Sequence, residues 1–277
     1  DIDQVRKMIE DVAGGCEGLI DVDLIQNDVK TAMYDGISTR EINQAIIIAM
    51  RSRIEREPAY SFVAARLLFN DLYSDVLGLN EFSPNFEETY RRIFEAKIRE
   101  GVGCGRLDSR LQDFDFVKLG EALRPERDRL FKYLGAQTLY DRYFLRDYNQ
   151  NILEAPQYFW MRIAMGLSLL ESEKEEKAID FYNVISKLLY VPSTPTLFHS
   201  GTRHPQMSSC YLTTVEDDLE HIFKCIGDNA QLSKWSGGIG TDWTPVRATG
   251  AVIKKVEVPS QGLIPFLKIA NDVTVAI

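Results

Sequence analysis

The sequence predicts an α/β protein, helical over its first two-thirds and mixed over its last third. Two observations carry this. As far as about Tyr190, apolar residues recur at three- and four-residue spacing between helix-start and helix-stop signals. Beyond Val191, Pro192, Pro195, Gly201 and Pro205 break the backbone repeatedly ahead of a β-prone run from Ser208 to Val215. With 277 residues, 45% of them hydrophobic and 26% charged, the chain has enough apolar surface for one large or two modest domains.

Taken in order, residues 1 to 73 read as helices. Asp35-Gly36 stops one, and Ser38 with Glu41 three positions on forms a capping box for the next. That helix carries Ile42, Ala45, Ile46, Ala49 and Met50 on one face, and Arg51, Arg53 and Arg56 follow where cations suit its dipole. Pro58 ends it, and Tyr60 to Tyr73 form another with Val63, Ala64, Leu67, Leu68 and Leu72 aligned. Gly78, Asn80, Pro84 and Asn85 mark a connection before helices over Phe86 to Gly101 and Phe114 to Leu123. The aromatic segment Thr138 to Leu145 is β-prone, and one or two short strands are expected before Asp147. Pro156 opens a helix with Phe159, Ile163, Ala164 and Leu167 on one face, and a second helix runs from Ala178 to Tyr190. Past the strand at Ser208 to Val215, Asp217 begins a helix with Leu219, Ile222, Phe223, Ile226 and Ala230 as its apolar stripe. Gly237 to Gly240 is expected to be a flexible loop, and Gly262 to Ala276 a final helix without a closing signal, so that the chain stops inside structure.

Charge and composition exclude several classes. A net charge of −9 opposes broad attraction to nucleic-acid phosphates, while small anions remain open because a helix N-terminus and one or two basic side chains suffice for them. The longest apolar runs fall short of a membrane span, and the first residues lack the pattern of a secretory signal. No membrane or nucleic-acid partner and a cytoplasmic location are therefore expected. Cys16, Cys104, Cys210 and Cys225 have irregular spacing that suits neither a disulfide framework nor zinc, and His199, His204 and His221 form no ligand set.

The chemistry concentrates between Pro192 and Leu212. Pro192-Ser-Thr-Pro-Thr-Leu-Phe-His-Ser-Gly201 followed by Ser208-Ser209-Cys210 gathers hydroxyls, backbone N–H groups and one thiol on turns and a strand end, as a phosphorylated ligand would need. Read alone, the same residues fit an ordinary turn and strand with a buried cysteine. The segment resembles the signature of ribonucleotide reductase large subunits. Gly237 to Gly240, Val246-Arg-Ala-Thr-Gly250, Gly262-Leu-Ile-Pro-Phe-Leu267, Arg127 to Tyr133, Asp141-Arg-Tyr143 and Met161-Arg-Ile-Ala164 extend the resemblance along most of the chain. The wording of the motifs and the long helical leader favour the aerobic, class I form.

The resemblance implies a partial ATP-cone over 1–73, a helical domain over 74–205, and the start of a ten-stranded α/β barrel over 206–277. It implies that Cys210 is one of two cysteines that reduce a ribonucleoside diphosphate, its thiol protonating the departing 2′-hydroxyl before thiol–disulfide exchange restores it. Thr194, Ser209 and Gly238 would hold the substrate. Asp217, Asp218, Leu219, Arg247 and, in the loop beyond, Lys254 would contact a deoxynucleoside triphosphate that selects the base to be reduced. A radical-generating small (beta) subunit with a dimetal cofactor, a homodimer or higher oligomer contacting through the last two long helices, thioredoxin or glutaredoxin as reductant, and control by ATP and dATP are implied likewise. The family's radical cysteine, second reducing cysteine and acid/base residues come later in its chain, so these residues alone are expected to be inactive. Thr39 stands where the cone would contact an adenine nucleotide. The usual opening hairpin is missing, however, and Ser74 replaces a nucleotide-binding lysine, which leaves open a cone that packs without binding. Two alternatives are an adenosylcobalamin-dependent (class II) reductase and a non-enzymatic ATP-cone nucleotide-sensing module. The acidic charge and the absence of zinc-finger cysteines oppose the latter.

Overall fold

A computed structural model describes residues 2–16, 18–235, 237–253 and 256–277. In chain order it contains α1 (Ile2–Val12), α2 (Val22–Ala32), α3 (Thr39–Arg51), α4 (Ala59–Leu77), α5 (Phe86–Gly103), α6 (Phe116–Ala122), α7 (Tyr133–Thr138), α8 (Pro156–Ser168), α9 (Lys174–Ile185) and α10 (Thr194–His199). After these come β1 (Cys210–Thr214), α11 (Leu219–Ser233), β2 (Gly238–Asp242), β3 (Val252–Ile253), β4 (Val258–Pro259) and α12 (Ile264–Ala276). By contacts the chain divides into two units, residues 1–191 with 200–204 and residues 192–199 with 205–277.

The first unit is helical because its start and stop signals and its apolar spacing agree. The capping box of α3 is complete: Glu41 N–H donates to Ser38 Oγ at 3.2 Å and Ser38 N–H to Glu41 Oε2 at 2.8 Å. Tyr34 also donates to Glu41, and these hydrogen bonds to its charged form, from Ser38 first, hold its carboxyl down at about 2. Helix α4 lies at the centre, with Tyr60, Val63, Ala64, Leu67, Phe69, Leu72 and Tyr73 buried, and packs against α3 and α7. It ends at Gly78, whose φ of 71° is the left-handed cap that glycine adopts without strain.

Two charged groups within this core are held by hydrogen bonds. Arg162 of α8 has no solvent exposure; its Nε donates to Glu154 Oε1 at 2.6 Å and its Nη1 to the Ser200 carbonyl at 2.7 Å, while Leu145 N–H donates to Glu154 Oε2. Gly166 and Gly201 meet where a Cβ on Gly166 would overlap the Gly201 backbone. Asp128, in a 3-10 segment from Pro125 to Leu130, accepts from Tyr73 (2.6 Å), Tyr90 (3.3 Å) and Gln157 (2.6 Å). Burial outweighs these donors and pushes its carboxyl up to about 7.

Several expectations are corrected. The strands anticipated before Asp147 do not form among the described residues. Tyr133–Thr138 is helix α7, it runs into a π-helical turn over Leu139–Tyr143, and only an isolated bridge joins Arg146 to Ile152. The buried residues here follow helical spacing, with Tyr133, Ala136 and Leu139 three apart. Helix α9 stops at Ile185 rather than Tyr190, and Leu188 adopts a positive φ. Leu167 is partly exposed rather than packed with its expected face.

In the second unit β1 and β2 pair in parallel across α11, with Cys210 opposite Gly238, Tyr211 opposite Ile239 and Leu212 opposite Gly240. Gly237 to Gly240 is therefore not a flexible loop. A Cβ on Gly237 would lie 2.5 Å from the Tyr211 ring and one on Gly240 2.8 Å from Leu212 Cδ2, so these glycines permit close approach to β1. Val215, Ile222, Cys225 and Ile226 form the core, packed by Trp243, Val246, Phe266, Ala270 and Val273. No residue of α12 is fully buried.

Candidate functional site

The second unit holds two groups of the residues singled out by sequence. The first surrounds Cys210. Its thiol is free and exposed, which removes the buried-cysteine reading. Strand register places Gly238 beside it, and Gly238 N–H donates to the Ser209 carbonyl at 2.7 Å. A Cβ on Gly238 would stand 3.5 Å from Cys210 Sγ and 3.4 Å from the Ser209 carbonyl, so the missing side chain leaves open space next to the sulfur. Ser209 is exposed at the same strand end. Thr194 opens α10, and two other residues of that helix, Thr196 and His199, reach the Met207 and Gln206 carbonyls at 3.4 and 2.7 Å.

Gln206 escaped the sequence reading. Its Oε1 accepts from Ser208 N–H at 2.6 Å, and its Nε2 donates to the Ser208 and Trp235 carbonyls at 3.1 and 3.4 Å. The side chain thereby ties the turn before Ser209-Cys210 to the end of α11. A polar residue just after Pro205 signals a turn and does not reveal which carbonyls it reaches.

The second group lies at the start of α11. Asp218, not Asp217, caps the helix, accepting from His221 N–H at 3.0 Å, and the helix begins at Leu219, which is exposed. His221 Nδ1 in turn accepts from Glu216 N–H at 3.1 Å. Asp217 turns away to Arg247, whose Nε lies 2.9 and 2.7 Å from its two oxygens and whose backbone N–H reaches Oδ1 at 3.3 Å. Both side chains are partly exposed. Arg247 also borders an open depression walled by Trp243, Thr249, Ile264 and Leu267. A guanidinium, an aspartate and the free N–H groups of a helix start are thus adjacent, a set that can grip an anionic ligand bearing hydroxyls. Lys254 lies outside the described residues.

Thr39 belongs to the first unit. It opens α3 and lines a cavity together with Asn43, Asp71 and Asp75. Among the described residues no group of three His, Cys, Asp or Glu could hold a metal, and no helix is long and apolar enough to cross a membrane.

An all-helical domain that runs into a parallel β-α-β start with an exposed thiol on its first strand defines a class, and comparison with known proteins makes it specific. Residues 129–205 match the family model of the ribonucleotide reductase all-alpha domain, and residues 208–277 match that of its barrel domain. The chain is 52% identical over 246 residues to ribonucleoside-diphosphate reductase subunit alpha of Chlamydia pneumoniae, covering 88% of the chain and 23% of the relative. It is 39% identical over 284 residues to the subunit alpha of Helicobacter pylori (100% of the chain, 34% of the relative) and 30% identical over 274 residues to the large subunit of Danio rerio (98% and 34%). The chain belongs to the ribonucleotide reductase large-subunit family. It spans about a quarter to a third of the length of these curated relatives. Neither the cobalamin-dependent nor the sensing-module alternative gains support from them.

Proposed function

We propose that this chain forms part of a class I large subunit that reduces ribonucleoside diphosphates to deoxyribonucleoside diphosphates by thiyl-radical chemistry. The observation that carries this reading is the pairing of an exposed Cys210 with a side-chain-free Gly238 across two parallel strands. In the reaction Cys210 gives its proton to the 2′-hydroxyl as it leaves as water. Cys210 and a second cysteine elsewhere in the enzyme then supply the two electrons and end as a disulfide, which thioredoxin or glutaredoxin reduces by exchange. The space beside Gly238 takes the ribose, and Thr194 and Ser209 hold the diphosphate through hydroxyl and backbone groups. A radical-generating small subunit with a dimetal cofactor, a homodimer formed through α11 and α12, regulation by ATP and dATP, and a cytoplasmic setting complete the reading.

We also assign Asp217, Asp218, Leu219 and Arg247 to a deoxynucleoside triphosphate effector, with Lys254 as a further contact. The effector phosphates would draw Arg247 from Asp217 and leave that carboxylate to accept from the ribose. Calorimetric titration of the dimeric full-length protein with dTTP, in wild type, Arg247→Ala and Asp217→Ala, tests this assignment. Loss of binding with the fold intact is the expected result, and undiminished binding in both variants would remove it. Independently, Cys210→Ser should yield no deoxynucleotide product in the holoenzyme; turnover by that variant would refute the reductive role.

A further inference from the structure

Cys210 and Gly238 stand side by side as the first pair of the β1–β2 ladder. Parallel strands share no hairpin, and α11 lies between these two in the chain, so no local turn sets the gap between their first residues. The side chain of Gln206 spans that gap. Its Oε1 accepts from Ser208 N–H at 2.6 Å and its Nε2 donates to the Ser208 carbonyl at 3.1 Å, so both backbone groups of a residue just ahead of β1 are held by one amide. The same Nε2 donates to the Trp235 carbonyl at 3.4 Å, just ahead of β2. Gln206 is itself held from a third direction. His199 Nδ1, at the end of α10, donates to the Gln206 carbonyl at 2.7 Å, and the His199 ring meets that of Trp235 edge-on with centroids 6.4 Å apart. The gap so bridged is narrow, since Gly238 N–H donates to the Ser209 carbonyl at 2.7 Å and a Cβ on Gly238 would stand 3.5 Å from Cys210 Sγ. Ser208 is exposed, and water can take over its bonds if the amide is removed, so the side chain contributes placement more than stability.

We propose that Gln206 is a positioning residue for the reducing thiol: by bridging the residues that lead into β1 and β2 it fixes Cys210 and Gly238 at the separation in which Sγ meets the 2′-oxygen of a bound ribonucleoside diphosphate. This role rests on the reductase reading of Cys210. The proton passes from Sγ to the leaving hydroxyl only at hydrogen-bond distance, and a misplacement of about 1 Å can cost about a hundredfold in rate. Gln206 gives and takes no proton in that step.

The test uses the reconstituted holoenzyme, full-length large subunit with its small subunit, in wild type, Gln206→Met and Gln206→Glu, with cytidine diphosphate as substrate. Rates are divided by the number of cytidine diphosphate sites counted by equilibrium binding, so that misfolded protein drops out of the comparison. Gln206→Met keeps the length of the side chain and loses all three of its bonds, and kcat per site should fall about tenfold or more. Gln206→Glu, when ionised, keeps only the acceptor for Ser208 N–H and turns its charge toward two carbonyls. Protonation restores a donor, so its deficit relative to wild type should shrink as the pH is lowered from about 8 to about 6, which a purely structural role would not produce. Wild-type kcat per site in Gln206→Met, or a deficit in Gln206→Glu that does not change with pH, overturns the proposal. Cys210→Ser, assayed alongside, separates the two claims: no product from it leaves the reductase reading standing whatever Gln206 does, and product from it removes that reading and the role of Gln206 with it.

Discussion

Arg162 has no contact with solvent, and its guanidinium donates to Glu154 and to the Ser200 carbonyl. Truncating one partner of such a pair leaves the other charge buried without compensation, which costs about 3–5 kcal/mol. Arg162→Ala should therefore lower the denaturation midpoint sharply, whereas the double replacement Arg162→Met with Glu154→Gln should recover part of the loss; equal losses in both would show that the pair is not coupled. At Gly238 the effect should fall on binding instead. The added methyl of Gly238→Ala meets only ordinary contacts at 3.4 and 3.5 Å, so the melting temperature should hold. The KM for a ribonucleoside diphosphate should rise about tenfold, the effect of one extra carbon in a fitted pocket. An unchanged KM would separate Gly238 from the substrate. Sequence singled out Cys210 and Gly238 as candidates because a motif contains them. Arg162 lies within a motif too, but nothing in a run of apolar residues shows that a charge there faces an acid eight positions earlier.

Helix starts were the most legible elements, because a cap is written within four residues. Ser38 and Glu41 form the expected box, and Ser38→Ala should cost about 1 kcal/mol, read from urea unfolding. At α11 the helix was legible but its cap was off by one position: two adjacent aspartates are chemically alike, and tertiary structure sends Asp217 to Arg247. The segment from Tyr133 to Tyr143 misled for a different reason. Its aromatic composition favours strands, but the packing of Tyr133, Ala136 and Leu139 at helical spacing decides the backbone. Strand β2 was hidden by the glycines in and just before it, which read as flexibility in sequence; in space Gly237 admits Tyr211 and Gly240 admits Leu212. No local pattern predicts that use, since the partner strand lies about thirty residues away on the other side of α11.

Across the helical unit, Asp128 joins α4, α5, α8 and its own 3-10 segment through three donors. Its carboxyl sits at about 7 in the fold against an ordinary value of 3.8, so the folded chain binds the proton more tightly than the unfolded one. The stability it contributes is full below about pH 4, falls as pH rises toward about 7 and is level above that. Urea midpoints measured from pH 4 to 8 should show this decline in wild type and a smaller one in Asp128→Asn; a rise in stability attributable to Asp128 over the same range would mean that its donors outweigh its burial. The return of residues 200–204 to the helical unit has a different consequence, for anyone who would dissect the molecule. A cleavage at the compositional border near Val191 would take away Ser200, and with it the acceptor for Arg162 and the partner of Gly166. A helical piece that keeps both contacts thus extends through Gly201, and it carries along residues 192–199, which group by contacts with the second unit.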